Sequence, residues 1–300
     1  MPIVAAPPQQ IAAPGGFDYV TVDAVRRRVY AAHGGASDLL IVDADTGKVL
    51  GSVKVGPMAG VAVDPANGHV FTGDGGDNAI SEVDPVTMKE INRVAVSGHV
   101  DAIAYDPTLH RIYGDEDDGT QIFVIDSQTF KQIGSVALPG HKPEYLQIDP
   151  KTHVIYQNIA NMSEIAVIDP TTLKVTRTIA TPELTNNHPL QLDVAHGELL
   201  AGGENMKFSV YKTDGTKVQT IDFPTRVDQC DLDQATDVMA CAGGGKLTML
   251  KTDGAALTIV GQTAVSDHVH TTAIDSKTGS VFVVSGDKSG AFVQKYTFTP

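Results

Sequence analysis

Asp18, Asp101, Glu144, His188, Asp228 and His270 are spread over most of the chain, yet each stands five residues before one member of a regular series of aspartates. That series is Asp23, Asp64, Asp106, Asp149, Asp193, Asp233 and Asp275, with gaps of 40 to 44 residues. One repeat departs, carrying Ala59 at the same offset. If the repeat closes on itself, the six titratable groups face one centre. Carboxylates crowded together and partly desolvated raise one another's pKa values or recruit a cation. Imidazoles in the set move the preference away from Ca²⁺, which takes all-oxygen shells, toward Zn²⁺, Mn²⁺, Fe²⁺, Cu²⁺ or Ni²⁺. The expected divalent metal site is therefore His188 and His270 with carboxylates drawn from Asp18, Asp101, Glu144 and Asp228. A metal with an open position makes hydroxide from water or polarises a carbonyl. His33, Glu116 and His268 on neighbouring loops would orient a substrate or move a proton. His268 and His270 are alternate residues, which on a strand project to one face and could reach one ion. Two other readings of the same residues stand beside this one. Polar residues just before a strand also cap loops and bond the next repeat, as Pro143-Glu144 and His188-Pro189 would, and the pocket could take a cationic or sugar-like ligand without metal.

The elements that must position these groups follow from the same repeat. A second aspartate lies 20 residues after the first in five units, at Asp43, Asp84, Asp126, Asp169 and Asp253. Around the two markers the pattern reads strand, turn, strand, loop, strand, turn, strand, as at 60–64, 69–72, 79–84 and 89–96. These segments are rich in Val, Ile, Thr, Tyr and Phe and are bounded by Gly, Pro, Asn and Asp, with no sustained helical period. Four short strands per unit of about 40 residues is the signature of a propeller blade. The chain is thus expected to be all-β, a seven-bladed β-propeller with four-stranded antiparallel blades, in one domain over residues 1–300. The seventh unit holds only three strands, and residues 3–13 are placed to supply the fourth, closing the ring. In this register residues at five before and ten after each marker face one another on one side of the ring. The second set, or its immediate neighbours, adds His33, Asp74, Glu116, Asn158 and Glu204, with His99, His141, Arg226 and His268 nearby. His69, His110, His153 and His196 fall at the opposite hairpin turns and read as solvated loop residues.

The segments Arg28-Val29-Tyr30-Ala31, Gly68-His69-Val70-Phe71 and Arg111-Ile112-Tyr113-Gly114, each after a marker aspartate and before an aspartate-ended apolar strand, resemble the YVTN-type seven-bladed propellers. That family includes lactonase-like and YncE-like proteins. The resemblance covers nearly the whole chain and implies the architecture; it also implies a range of roles, binding and cell-surface proteins among them. Trp is absent, which counts against the WD40, kelch and quinone-cofactor propellers, whose repeat motifs use it.

A formal net charge of −14 argues against binding to nucleic-acid backbones or anionic lipid and suits cations or basic partners. No apolar run approaches the roughly 18 to 20 residues of a membrane span. Residues 1–14 lack the basic start and apolar core of an export signal. Their Ala, Pro and Gln content reads as a mature exported protein, periplasmic or secreted, with a start Met in place of its signal; a cytoplasmic location stays open. The two cysteines, Cys230 and Cys241, should oppose each other on adjacent strands. They are read either as buried thiols, as a cross-strand disulfide of an oxidising compartment, or as a reactive or metal-binding pair. Gly243-Gly244-Gly245-Lys246 lacks the Ser or Thr of a phosphate loop, residues 115–119 put Gly at the wrong offset for a calcium loop, and no Gly-x-Ser-x-Gly occurs. The function expected is that of a hydrolase or lyase acting on a small ester or lactone through a His/carboxylate metal pocket at the mouth of the central channel. The alternative is a non-enzymatic scaffold holding a small ligand, or a protein partner on the propeller face.

Overall fold

Each marker aspartate ends an inner strand because its short carboxylate caps the turn that follows. Asp106 Oδ1 accepts hydrogen bonds from the backbone N–H groups of Thr108 and Leu109 at 2.9 and 3.0 Å. Asp23, Asp149 and Asp275 do the same for residues two or three further on. Such side-chain mimicry of a backbone turn is why Asp recurs at this point. The second markers work alike at the outer hairpin: Asp43 Oδ1 accepts from the Thr46 N–H and hydroxyl, both at 2.8 Å. These twelve carboxylates thereby punctuate the chain into strands; the repeat seen in the sequence is a repeat of caps.

The computed structural model describes residues 2–254 and 256–298. Seven antiparallel sheets follow one another, with inner strands Val20–Asp23, Val61–Val63, Val100–Asp106, Pro143–Ile148, Asn187–Asp193, Gln229–Asp233 and Thr272–Asp275 opening blades 1 to 7. Each inner strand packs beside the next, and that of blade 7 packs beside that of blade 1, so the ring is closed. The fold is the seven-bladed propeller that the repeat predicts. Helix is confined, among the described residues, to three single 3₁₀ turns, Gly34–Ala36, Gly75–Asp77 and Ala160–Met162. No helix there is long and apolar enough to cross a membrane.

The chain's beginning completes blade 7 as expected, but in two pieces. Ile3–Ala5 and Gln9–Ile11 both pair with Gly290–Phe298. Between them lie Pro7 and Pro8, which have no N–H for a ladder and interrupt the strand. Apolar layers fill the spaces between blades. Phe71 and Ile80 meet Ile112 and Phe123 between blades 2 and 3, and Phe282 and Val284 meet Val29 and Leu40 between blades 7 and 1. Fully burying each such side chain stabilises the ring by about 1.5 to 3 kcal/mol. Cys230 and Cys241 are directly opposed, 4.1 Å apart at Cα, and form a disulfide. Of the three readings of the pair the cross-strand bridge is the one found, which accords with an oxidising compartment.

Candidate functional site

The residues five before each marker lie at the lip of the inner strands, and the twist of the blades turns them toward one another across blade boundaries. His188 of blade 5 stands at the middle of the group. Its Nδ1 is 3.4 Å from Glu144 Oε2 of blade 4 and 3.3 Å from Asp228 Oδ1 of blade 6, and its Nε2 is 3.7 Å from Glu204 Oε1. Asp228 uses its other oxygen on blade 7, with Oδ2 at 2.9 Å from His270 Nδ1. That last contact is an ion-pair distance without the alignment of a hydrogen bond, so Nδ1 is left without a formal partner. His270 Nε2 donates to the carbonyl of Phe17 in blade 1 at 2.8 Å. Beside it Asp18 accepts from Gln229 Nε2 at 2.9 Å. An alternating run of acid and imidazole thus passes through four successive blades, from Glu144 to His270, and reaches Asp18 in the next.

Charge is unevenly shared around this ring. Burial raises the Asp228 carboxyl, but the two imidazoles outweigh it and hold the group below the usual carboxylate range. Burial lowers His188, and its contacts with Asp228, Glu144 and Glu204 more than reverse that, leaving it raised; His270, against Asp228 and Asp18, is pushed up to about 9. On the far side burial outweighs the nearby positive charge. Burial brings Asp18 up to about 6 and Glu144 up to about 7, the imidazoles offsetting part of the effect. Asp101 is raised well above its ordinary value by burial and by Asp18, Asp115 and Glu144, and Asp115 by burial above all.

Two clefts open here. One, of about 210 Å³, is lined by His188, Glu204, Arg226, Asp228, Asp267 and His270. The other, of about 430 Å³, lies on the acid side between Asp18, Met58, Ala59, His99, Asp101 and Asp117. The short side chain of Ala59 helps to make that room.

Of the nine residues singled out from sequence, Asp18, Asp101, Glu144, His188, Asp228 and His270 share the mouth. The other three are placed elsewhere. His33 is 1% exposed, stacked on Phe17 with ring centroids 4.1 Å apart and paired through Nδ1 with Asp38 Oδ1 at 3.1 Å. Asp74, which like His33 stands ten after its marker, is likewise buried and is bonded to Thr72 and Ser81 of its own blade. Glu116 folds over Gly98 and Gly119 and accepts from the Thr120 N–H, staying with its own loop. His268 sits in a turn before the strand starts, so strand alternation does not apply; its Nε2 pairs with Asp287 Oδ2 at 3.3 Å, in a different cleft from His270.

The structure adds residues that the sequence reading missed. Gln229 fixes Asp18 from two blades away, and Gln157, fully buried, donates to Asp115 Oδ2 at 2.9 Å. Among the described residues the one compact set of three donor atoms within 4.8 Å of one another is Asp193, His196 and Asp237, at the opposite hairpin turns. There His196 Nδ1 is 2.8 Å from Asp193 Oδ2 and the Asp193 carboxylate also caps the His196 N–H, so His196 is a paired turn residue. The mouth groups instead meet as linked pairs.

No protein-family model matches the chain, and no curated protein matches it. Among solved structures it is similar to Kuenenia stuttgartiensis hydrazine synthase, with a TM-score of 0.82 and 14% identity over 95% of this chain and 96% of that one. At that identity the likeness shows the propeller fold alone.

Proposed function

We propose that the channel mouth binds a divalent cation beside His188 and carries out hydrolytic or lyase chemistry on a small ester, lactone or related substrate. The observation that supports this most is the placing of three carboxylates from three segments of chain around one imidazole, at 3.3 to 3.7 Å. Ligands bonded to one ion at about 2.1 Å stand roughly 3.0 to 3.4 Å apart, so modest turning of Glu144 or Asp228 would bring donors onto one centre. Zn²⁺, Mn²⁺, Fe²⁺, Cu²⁺ and Ni²⁺ suit this mixed donor set better than Ca²⁺. His270, with Nε2 committed to Phe17, would act through Nδ1 or as a charge partner of Asp228. Glu144 would move the proton. The cleft beside Arg226 and Asp267 would receive the substrate.

Elemental analysis of the purified protein and melting with and without chelator test the reading. Expected are about one ion per chain, a lower midpoint in chelator, and loss of both effects in His188→Ala. A second reading, a non-enzymatic propeller that holds a ligand or protein partner, draws on the ion pairs already made between Asp228 and both imidazoles. Metal-free protein that is indifferent to chelator would favour that reading over the first.

A further inference from the structure

Tyr19 of blade 1 and Tyr145 of blade 4 occupy the same place in their repeats, four residues before the marker. Their blades lie on opposite sides of the ring, yet the ring centroids are 5.5 Å apart. The two side chains therefore cross the axis and meet. Above them are the mouth acids, with Tyr19 in the field of Asp101, Asp18 and Asp115; below, Tyr145 lies beside Asp231. The channel is thereby divided in two. The lower part is a chamber of about 290 Å³, running down to the residues just before the markers. Its volume comes from short side chains on blades 2 and 3, among them Val61, Ala62, Ala102 and Ala104.

We propose that this chamber is a second binding site, for a small organic ammonium ion held by the Asp231 carboxylate and the faces of the two tyrosines. Asp231 is the single charged residue in the chamber wall. Its Oδ2 accepts the Ile274 N–H at 2.7 Å, and no Lys, Arg or His lines the chamber to neutralise it. Asp231 is half-buried, and a carboxylate partly withdrawn from water without a counter-charge beside it is costly; burial raises this one to about 6 against the lowering effect of its backbone hydrogen bonds. An inorganic cation such as Ca²⁺ would need about six to eight oxygens, which one carboxylate cannot supply. An alkylammonium needs less: one carboxylate for the charge and aromatic faces for the cation's remaining surface. The site does not depend on metal at the mouth.

Calorimetric titration with n-butylammonium chloride tests the site, with n-butanol as the neutral counterpart of the same shape. Expected is saturable binding of about one ammonium per chain, and roughly tenfold weaker binding of the alcohol. Asp231→Asn keeps an oxygen for the Ile274 N–H and removes the charge; it should weaken butylammonium roughly tenfold. Tyr145→Leu, which keeps the carboxylate and removes one aromatic face, should weaken it several-fold and carries the test if the first variant does not fold. Absence of saturable binding to the wild type overturns the proposal, as does equal affinity for the alcohol. Undiminished binding by both variants would do so too, and so would loss of binding in His188→Ala, since that would move the site to the mouth.

Discussion

Asp228 links two blades because its oxygens address different imidazoles, Oδ1 toward His188 and Oδ2 toward His270. The consequence for stability has a definite sign. His270 is raised above the ordinary imidazole value to about 9, so the folded state binds its proton more tightly than the unfolded chain does. That contribution is complete below about pH 6.5 and is lost as pH rises through about 9. The side chain is 35% exposed, and solvent screening reduces its worth to about 1 to 2 kcal/mol. His270→Gln should therefore melt lower than wild type at pH 6.5, with the gap narrowing toward pH 9 and above. Melting curves across that range decide it; a gap independent of pH would mean that packing, not charge, is what His270 supplies.

Elements in this chain are set by what ends them, and blade 6 shows how much of that was open to inspection in the sequence. Counting from Asp233 places Cys230 opposite Cys241, because a capped turn fixes the register of the strands that leave it. Whether two opposed thiols are joined depends on Cα separation, which register does not give. The bridge lies within a buried cluster with Leu200, Phe208 and Met239. Replacing both cysteines by Ala should lower stability by about 2 to 3 kcal/mol, the value for a loop of this length, measured by denaturant unfolding. Without denaturant the wild-type bond should resist reduction, since both cysteines are buried at 1% exposure; ready loss to a mild thiol would show that the blade opens. The mouth was legible in the same way. Its six members share an offset from a marker, and offset sets which end of a strand a residue occupies. What the register could not supply was direction and reach. His33 and Asp74, ten residues after their markers, are buried and held by partners in their own blades, Asp38 for the first and Thr72 and Ser81 for the second. Tyr19 and Tyr145 meet only because a phenol ring is long enough to span half the channel. The pairing of Gln229 with Asp18 skips a blade, and nothing local in the chain marks it.

A ring of similar blades has one place where its continuity is not covalent, and three contacts are gathered there. Ile3–Ala5 and Gln9–Ile11 pair with Gly290–Phe298; Arg27 of blade 1 makes two hydrogen bonds of 2.6 Å to the fully buried Asp275 of blade 7; and His270 reaches the Phe17 carbonyl. The first is the largest. Ile3 packs against the apolar layer between blades 6 and 7, and Ile11 against that between blades 7 and 1, so the short tail seals both sides of the last blade. Removing residues 2–13 uncovers the Gly290–Phe298 edge, a row of unpaired backbone groups ready to pair with another chain. The lost apolar burial and strand pairing amount to about 2 to 4 kcal/mol. Because every blade leans on two neighbours, an opened seventh blade weakens its contacts with the sixth and the first, and the loss should appear in the whole transition rather than in a separate early step. The truncated protein should melt several degrees lower in one transition and should associate more readily than wild type, as seen by calorimetry and light scattering. An unchanged midpoint would show that Arg27, Asp275 and His270 close the ring without the strand. A new low-temperature transition beside the old one would show that blade 7 stands apart from the other six.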